Sequence, residues 1–446
     1  MTLLPYQLTG ARFLAARSHA FLADEMGLGK TAQAIHACDL VHASRVLVIC
    51  PSSVCQNWIR EFEAFSTIDR NATVLNSKKL DVIDGVNVVS FDTAARHKSA
   101  IAVNFDALIV DEAHYLKNRT ARRTKAIYGF RQTKGLAHQA KRLWLLSGTP
   151  APNNISEMWP HLKHAGVVAD KYWDFVFKYC TGFESTYGWQ ITGHKNVDEI
   201  KKVLSGYLLR RKAEVVMTDL PDLKFEFVEV DKGDVDIHAG FLSAVIKDGE
   251  DGVRHQISQV ERDIAAALDG VDGGEKQIAV LEAHATNAAM LRKYIALAKV
   301  PKILETLGGE LGSGRLKKVV VFAHHRDVIV ALREGLRKWG PVTLWGATPD
   351  VKRQNMVDKF RWNDNCQVFI GQIQSAGVGI TLTSAHEVVL AELSYRPDEN
   401  AQAIKRCHRL TQTENVRVRI FSLKDSIDGR IQQILLRKVR ELKKVF

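Results

Sequence analysis

The feature that most constrains the fold is an alternation of short apolar runs, rich in Val, Ile and Leu, with segments of helical pattern, and this alternation occurs twice along the 446 residues. Strands that alternate with helices favour parallel sheets covered by helices over an all-helical or an all-β fold. The runs of the first series include residues 46–49, 107–110 and 143–146. The runs of the second series include residues 319–322, 367–370, 388–390 and 416–420. The sequence therefore predicts an α/β protein that contains two parallel sheets.

Three segments have a sequence pattern that differs from the strand–helix alternation of the two series. Residues 154–203 have a mostly helical pattern, and residues 234–300 carry Ala- and Glu-bearing stretches on either side of a glycine-rich turn, which predicts a helical hairpin with a packing role. Near the end, apolar residues recur at helical spacing among basic ones. We therefore predict a first lobe over residues 1–218 with a helical insertion at about 154–203. The second lobe, residues 219–446, would begin with a helical protrusion at about 234–300 and end in a basic helix at about 426–446.

Composition excludes several classes of protein. No apolar run approaches the ~20 residues that a membrane span requires, and the first residues lack the pattern of a signal peptide. The six cysteines are scattered without a C-x-x-C pair, which favours buried free thiols over a zinc site. These observations predict an intracellular protein without membrane association.

The charge balance favours a polyanionic partner. Lys and Arg total 62 against 50 acidic residues, which gives a formal charge of +12 and a pI near 9.3. A basic surface binds nucleic acid because neutralising phosphates releases counterions. A basic surface that only keeps the protein soluble is the alternative.

A glycine-rich loop follows the apolar residues 21–23 and precedes a helical pattern; residues 24–31 read Asp-Glu-Met-Gly-Leu-Gly-Lys-Thr. Glycines let backbone N–H groups approach a phosphate, and Lys30 would reach the terminal phosphates while Thr31 ligates Mg2+. Asp24 stands where the phosphate-loop pattern has its first glycine, so a helix-capping loop is the alternative. The candidates for binding nucleotide are Gly27, Leu28, Gly29, Lys30 and Thr31.

Two adjacent carboxylates, Asp111 and Glu112, directly follow the apolar run at residues 107–110. Ligands of open α/β sheets bind at the carboxyl ends of the strands. Asp111 would hold Mg2+, and Glu112 would orient and deprotonate the water that attacks the γ-phosphate. A solvated, acidic start of a helix is the alternative.

A cation for phosphoryl transfer is found far downstream, where Arg406 and Arg409 stand three residues apart in the segment 402–412. On a helix they would share a face, and arginine fingers of this kind contribute ~10³ to 10⁵ in rate. A solvated basic helix face is the alternative. The glycines and hydroxyls of residues 374–383 would allow close approach to a nucleotide. A tight turn between a strand and a helix is the alternative.

Taken in order, these segments resemble the motifs of superfamily-two helicases and, more narrowly, of the Swi/Snf family of double-stranded DNA translocases. Residues 24–31 match the family's motif I, which has an aspartate at its start, and Asp111 to His114 spell the DEAH box of motif II. Other segments resemble the adenine-recognising Q motif, motif Ia, motif III, the connector between lobes, and motifs V and VI: residues 4–10, 50–58, 146–154, 209–221, 376–385 and 402–412. The resemblance implies two tandem RecA-like lobes.

Further site residues are implied by the resemblance alone. The residues that would join the nucleotide site are Gln7, Gly377, Gly379 and Gln402. The residues that would contact nucleic acid are Pro51, Ser52, Lys117, Asn118, Arg122, Arg123, Gln374 and Ser375. Nine Lys and Arg residues with no Asp or Glu between Tyr115 and Ser156 agree with DNA contact there, and a solvated charged face is the alternative.

Within the family, residues 298–301, 321–325, 377–383 and 391–393 resemble the annealing-helicase (HARP-like) branch. Departures include Tyr395, Arg396 and Pro397 in place of W-N-P, and Leu410 and Thr411 in place of the I-G of motif VI. These departures concern local DNA contacts and coupling more than hydrolysis. The pair His324 and His325 lacks ligand spacing to other histidines, which favours a structural role over metal binding.

The resemblance implies a DNA-dependent ATPase that uses ATP and Mg2+, translocates on double-stranded DNA with little sequence preference, and remodels forks or anneals strands. It also implies a monomeric motor with little beyond the two motor lobes. Such a motor would work in the cytoplasm, the nucleoid or the nucleus. One alternative is a strand-separating DNA or RNA helicase of the same superfamily. The other is a non-hydrolysing DNA-binding scaffold with a relic nucleotide site.

Overall fold

The computed structural model describes residues 3–185, 188–216, 221–231, 285–346, 348–376, 380–394, 397–409, 411–424, 426 and 428–429. The described residues divide into two compact units, with the division between residues 218 and 219. Within the described residues, no helix combines the length and the apolar character that crossing a membrane requires.

A seven-stranded sheet forms the centre of the first unit. Its neighbouring strands are all parallel and follow the order β3-β4-β2-β5-β6-β1-β9. The strands are β1 (His19–Leu22), β2 (Arg45–Cys50), β3 (Ala72–Leu75), β4 (Gly85–Ser90), β5 (Ala107–Asp111), β6 (Leu143–Leu146) and β9 (Leu208–Leu209). The central strands β2, β5 and β6 are apolar and buried almost throughout, as expected of parallel strands that are covered on both faces.

Nine helices belong to the described part of the first unit. They are α1 (Pro5–Ala15), α2 (Lys30–Leu40), α3 (Cys55–Phe65), α4 (Phe91–Arg96), α5 (Arg122–Tyr128), α6 (Trp159–His164), α7 (Tyr172–Tyr179), α8 (Val197–Ser205) and α9 (Ala213–Val216). α2 follows β1 through the glycine-rich loop, and α3 follows β2 after a short 3-10 turn at Ser52–Val54. Both helices therefore begin near the carboxyl edge of the sheet.

The segment predicted to be a helical insertion, residues 154–203, is only partly helical. Between α7 and α8 the chain forms an antiparallel hairpin of β7 (Cys180–Ser185) and β8 (Gly188–His194). The prediction was wrong for this stretch because Thr181, Phe183, Trp189 and Ile191 carry β-branched or aromatic side chains, which favour strands. Gly188, with φ at +95°, occupies a backbone conformation that favours glycine at the start of the second strand.

The second unit is built on a six-stranded parallel sheet with the order β10-β15-β14-β11-β13-β12. The strands are β10 (Leu223–Val230), β11 (Val319–Ala323), β12 (Val342–Leu344), β13 (Val368–Gln372), β14 (Glu387–Leu390) and β15 (Val416–Leu423). The helices are α10 (Ala285–Gly312), α11 (Arg326–Gly335), α12 (Asp350–Trp362), α13 (Ile373–Ala376) and α14 (Pro397–Ile404). Two apolar clusters fill the two sides of this sheet.

The predicted fold class, parallel sheets flanked by helices in two units, is confirmed. Every apolar run of the sequence that we assigned to a strand lies in or overlaps one of these strands. Residues 285–300 of the predicted protrusion are the first part of the longer helix α10, whereas residues 234–284 lie outside the described residues. The predicted terminal helix, about 426–446, also lies outside them apart from Ser426, Asp428 and Gly429.

Candidate active site

The glycine-rich loop between β1 and α2 has the backbone that close approach to an anion requires. Gly27 and Gly29 both have positive φ, +89° and +70°. A Cβ atom at Gly29 would lie 2.4 Å from the side-chain nitrogen of Gln7, so the loop and α1 leave no room for a side chain there. Lys30 and Thr31 are the first two residues of α2, and both are partly exposed. The N-terminus of a helix of this length presents free N–H groups to an anion.

The carbonyl of Leu28 is the point at which three side chains meet. It accepts hydrogen bonds from Gln7 Nε2 at 3.3 Å, Tyr6 Oη at 3.2 Å and Gln33 Nε2 at 3.0 Å. Gln7 is buried, and its Oε1 also accepts the backbone N–H of Leu4 at 2.9 Å. The structure therefore places Gln7, predicted from the resemblance, directly against the loop.

Asp24, which replaces the first glycine of the general phosphate-loop pattern, is fully buried and has a structural role. Arg211 binds its carboxylate with two hydrogen bonds, Nε to Oδ1 at 2.9 Å and Nη2 to Oδ2 at 2.5 Å. Gln33 donates to the same carboxylate and accepts from Arg211 at 2.8 Å. A bidentate arginine pair is strong and geometrically specific. This ion pair fixes residue 211, near the end of the first unit, to the start of the loop.

Asp111 and Glu112 lie at the carboxyl end of β5, as predicted. Asp111 accepts hydrogen bonds from Trp58 Nε1 at 3.0 Å and from the backbone N–H of Glu112 at 2.9 Å. Glu112 has a left-handed backbone, φ 50° and ψ 50°, a conformation that costs a non-glycine residue about 1–3 kcal/mol and clusters at functional sites. Its Oε2 lies 3.2 Å from His114 Nδ1, which in turn lies 3.1 Å from Ser147 Oγ.

Electrostatics couple the lysine of the loop to this carboxylate pair. Desolvation raises the pKa of Asp111 to about 6, and the neighbouring charge of Glu112 adds to the rise, while the hydrogen bond from Trp58 and the charge of Lys30 oppose it. Desolvation lowers the pKa of Lys30, against the charges of Glu112, Asp24 and Asp111. Lys30 Nζ donates to the carbonyls of Asp24 at 2.8 Å and Glu25 at 3.3 Å. The first unit thus brings one ammonium group and two carboxylates within electrostatic reach of each other.

The nucleic-acid candidates of the first unit follow β2 and β5. Pro51 and Ser52 come directly after β2, and Ser52 is exposed. Lys117 pairs with Glu157 at 3.0 Å, and the side chain of exposed Asn118 accepts from Thr120. The arginines Arg122 and Arg123 open α5; Arg122 is exposed, and Arg123 is partly exposed with its guanidinium 5.3 Å from the centroid of the Tyr115 ring.

In the second unit, the prediction that Arg406 and Arg409 share a helix face is wrong. Helix α14 ends at Ile404, and both arginines lie in the turn that follows. The helix stops because the next carbonyls bond elsewhere: that of Arg406 accepts from the backbone N–H of Leu382 at 2.9 Å, and that of Cys407 from Gln412 Nε2 at 3.0 Å. Arg409 Nη1 donates to Thr381 Oγ1 at 2.9 Å, which ties the turn to the segment after β13.

The other candidates of this unit are only partly described. Gln402 is buried on α14, Gln374 is exposed on α13, and Ser375 lies on α13. Gly377 and Gly379 lie outside the described residues, as do the departures Tyr395, Arg396 and Leu410. His324 and His325 contact Glu392: its carboxylate accepts both of their backbone N–H groups at 2.8 Å, and His325 Nδ1 lies at 2.6 Å. Within the described residues no cluster of metal-ligating side chains was found.

Sequence reasoning missed the residues that hold the site in place. Gln33 received no role, and Trp58, Ser147 and Arg211 were recognised only as members of motifs, without partners. Trp58 lies three residues into α3 and would read as an ordinary core residue by spacing. Its indole N–H donates to Asp111, and hydrophobic periodicity carries no information about such a hydrogen bond.

A family model described as SNF2-related domain matches residues 6–252, more than half of the chain. The chain belongs to the SNF2-related family. A second model, described as helicase conserved C-terminal domain, matches residues 298–411, within the second unit. These two matches confirm the predicted family.

The chain is similar along almost its whole length to larger curated proteins. It is 31% identical over 458 residues to the SWI/SNF-related matrix-associated actin-dependent regulator of chromatin subfamily A-like protein 1 of Xenopus laevis, covering 99% of this chain and 44% of that protein. It is 27% identical to the human DNA annealing helicase and endonuclease ZRANB3, covering 98% of this chain and 40% of that protein. The SNF2-related chain thus spans about half the length of the curated relatives it matches.

Among solved structures, the chain resembles the Sulfolobus solfataricus SWI2/SNF2 ATPase core in complex with dsDNA. The TM-score is 0.45 at 22% sequence identity, and the match covers all of this chain and 94% of that one.

Proposed function

We propose that this SNF2-related chain is a DNA-dependent ATPase that translocates on double-stranded DNA, with fork remodelling or strand annealing as its role. The observation that carries the proposal is the arrangement in the first unit: Lys30 begins a helix after a glycine-rich loop, within electrostatic reach of Asp111 and Glu112. The names of the relatives, a regulator of chromatin and a DNA annealing helicase, support a DNA substrate. Such a protein would work as a monomer in the nucleoid or the nucleus.

The residues fit a nucleotide with Mg2+. The loop offers two positive-φ glycines and a helix N-terminus, which suit phosphates. A Cβ at Gly148 would lie 2.7 Å from the side chain of Met26, so the glycine lets the segment after β6 pack closely against the loop. Gln7, Gly27, Leu28, Gly29 and Lys30 would hold ATP. Thr31 and Asp111 supply the oxygen ligands that Mg2+ prefers. When bound, Mg2+ neutralises charge on the phosphates.

The roles of the remaining groups follow from their chemistry. Glu112, which is next to Asp111 and tied to His114, would orient the attacking water and accept its proton. In this proposal, residues 1–218 form the nucleotide-binding lobe, and residues 219–446 form the lobe that supplies Arg406, Arg409 and Gln402. The exposed cations after β5, together with Ser52 and Gln374, would contact DNA phosphates.

The test is the nucleic-acid dependence of ATP turnover, measured with duplex DNA, single-stranded DNA and RNA of equal length. We expect duplex DNA to stimulate turnover most strongly, and we expect the protein to displace a third strand from a triplex without separating the duplex. Stimulation by RNA alone would support an RNA-directed helicase instead. Nucleotide binding without turnover on any of the three would support the non-hydrolysing scaffold.

A further inference from the structure

The second unit carries a basic and aromatic surface at the amino edge of its sheet. Three connections end there, because α10, α11 and α12 each return the chain to the start of a parallel strand. Residues 313–318 lead into β11, residues 336–341 into β12 and residues 363–367 into β13. We call these three connections, together with the last turn of α12, the amino-edge face.

The three connections are bonded to one another. Gln367 Nε2 donates to the carbonyl of Lys317 at 3.0 Å, and its backbone N–H donates to the carbonyl of Trp339 at 3.0 Å. Lys318 Nζ donates to carbonyls at the end of α12, including that of Asn363 at 3.2 Å. The amino-edge face is therefore a single surface rather than three separate loops.

The amino-edge face is strongly basic, and most of its cations are exposed to solvent. It contains one acidic residue, Asp364, against seven cations: Arg315, Lys317, Lys318, Arg337, Lys338, Lys359 and Arg361. All of the cations except Lys318 are exposed, and in the part of the chain that the structure describes no ion pair joins any of them to a carboxylate. Other cations of the described residues do have carboxylate partners, as in the pairs Arg45–Asp84 and Lys178–Glu199.

The amino-edge face also carries an exposed aromatic side chain. Trp362, the last residue of α12, is 74% exposed, more than any other large apolar side chain that the structure describes. The guanidinium of Arg361 lies 4.7 Å from its ring centroid, and Lys338 Nζ lies 5.8 Å from the ring of Trp339. A solvent-exposed indole beside unpaired cations provides the two elements that bind a single strand: the ring stacks with a base, and the cations attract the phosphates.

The amino-edge face is separate from the predicted motor site of its own unit. Gln374 and Thr381, to which Arg409 donates, both follow the carboxyl end of β13. The five residues of a strand such as β11 place about 13 Å between the two edges of the sheet. The proposed function gives no role to this edge.

We propose that the amino-edge face binds single-stranded nucleic acid, with the exposed cations on the phosphates and a base stacked on Trp362. A single strand fits better than a duplex, because the bases of a duplex are already stacked on each other and offer no free face to an indole. One apolar side chain among seven cations is also too little to anchor the surface in a lipid headgroup layer, where affinity scales with buried apolar area.

The test measures binding of the full chain to oligo(dT) and to a duplex of equal length, without nucleotide and at two salt concentrations. We expect Trp362→Ala to weaken oligo(dT) binding roughly five- to hundredfold, as for a stacked base, with little change for the duplex. Arg337→Glu with Lys338→Glu should weaken it at least about tenfold and reduce the log–log salt slope by about 1.4, as for two phosphate contacts. The control, Lys201→Glu with Lys202→Glu, makes the same charge change on the exposed side of α8 and should have a far smaller effect.

A crosslink locates the strand. With 5-iododeoxyuridine in the oligonucleotide, irradiation should label Trp362, and mass spectrometry identifies the residue. Wild-type oligo(dT) affinity in Trp362→Ala together with no label at this residue would overturn the proposal, as would equal losses in the two double variants. A loss of binding confined to the duplex would also overturn it. Because binding is measured without ATP, a failure here and a failure of the proposed motor function are separate results.

Discussion

Both units place a carboxylate at the carboxyl end of a central strand, but its surroundings differ in kind. Asp111 in the first unit has a pKa raised to about 6 by desolvation and by the adjacent charge of Glu112. Glu392 in the second unit is also buried, yet its pKa is lowered to about 2. Burial alone would raise the pKa of Glu392, but the hydrogen bond and charge of His325 and the backbone N–H groups of His324 and His325 outweigh it.

The charge of Glu392 is stabilised by hydrogen-bond donors within the fold, whereas the charge of Asp111 is stabilised only in part. Glu392 already has donors for its charge, so it joins β14 to the start of α11 and has no need of a further cation. Asp111 has one indole, one backbone N–H and the charge of Lys30, which leave its pKa high. A divalent cation would stabilise the ionised form of Asp111 and would gain little at Glu392. This contrast is a physical reason for assigning the proposed metal site to the first unit.

The largest effect is expected for Glu112→Gln. We expect turnover to fall roughly 10²- to 10⁴-fold, as for loss of a general base, while nucleotide binding is kept. The substitution also removes the like charge beside Asp111, so Mg2+-dependent nucleotide binding should persist to lower pH than in the wild type. Turnover at saturating ATP and DNA and titration with a fluorescent ATP analogue measure the two effects. Glu63→Gln, an exposed change on α3, is the control, and unchanged turnover in Glu112→Gln would remove its assigned role.

Asp111→Asn should abolish Mg2+-dependent turnover but stabilise the protein at pH 8. The folded pKa lies above the ordinary value, so the unfolded chain ionises first and the wild type loses stability as pH rises from about 4 to about 6. A shift from 3.8 to about 6 corresponds to about 3 kcal/mol. The variant's advantage should therefore be present at pH 8 and shrink toward pH 4, as measured by unfolding at both pH values. A variant that is less stable than the wild type at pH 8 would contradict the argument.

Glu392→Gln should change the free energy of unfolding in the opposite direction and destabilise the protein. The lowered pKa of Glu392 stabilises the folded state above about pH 4.5, and this stability is lost as pH falls toward 2. We expect the variant to be less stable by about 2 kcal/mol at pH 7, the size of hydrogen bonds to a charged group, with a smaller difference in acid. Glu334→Gln, which breaks the exposed pair with Arg333, should cost well under 1 kcal/mol and is the control. Equal losses of stability in the two variants would mean that the buried contacts of Glu392 contribute no more than an exposed ion pair.

Local patterns predicted the strands and the glycine-rich loop before α2, because the alternation of apolar runs and the glycine spacing are properties of neighbouring residues. The contacts that hold the site together were beyond that reasoning. Arg211 and Asp24 are 187 residues apart in sequence, and Trp58 and Asp111 are 53 apart. The end of α14 before Arg406 was also missed, because a carbonyl bond to Leu382 decides it and no helical period encodes that bond.

The smallest effect should come from Trp58→Phe, which keeps the ring in the core but removes the indole donor to Asp111. That hydrogen bond lowers the pKa of Asp111, so its loss should raise the pKa further and weaken the ionised form at neutral pH. We expect the Mg2+ concentration for half-maximal turnover at pH 7 to rise roughly fivefold, corresponding to about 1 kcal/mol.

At pH 8.5 that increase should be smaller, because the carboxylate is ionised in both proteins. Trp144→Phe removes a buried indole bond to the carbonyl of Arg17 and should not change the Mg2+ requirement at either pH, which makes it the matched control. An increase in Trp58→Phe that is equal at both pH values would mean that the indole acts through packing rather than through the charge of Asp111. A pH-dependent increase confined to Trp58→Phe would assign the indole to the ionised carboxylate, because only a group that favours one protonation state of Asp111 changes its metal requirement in this way.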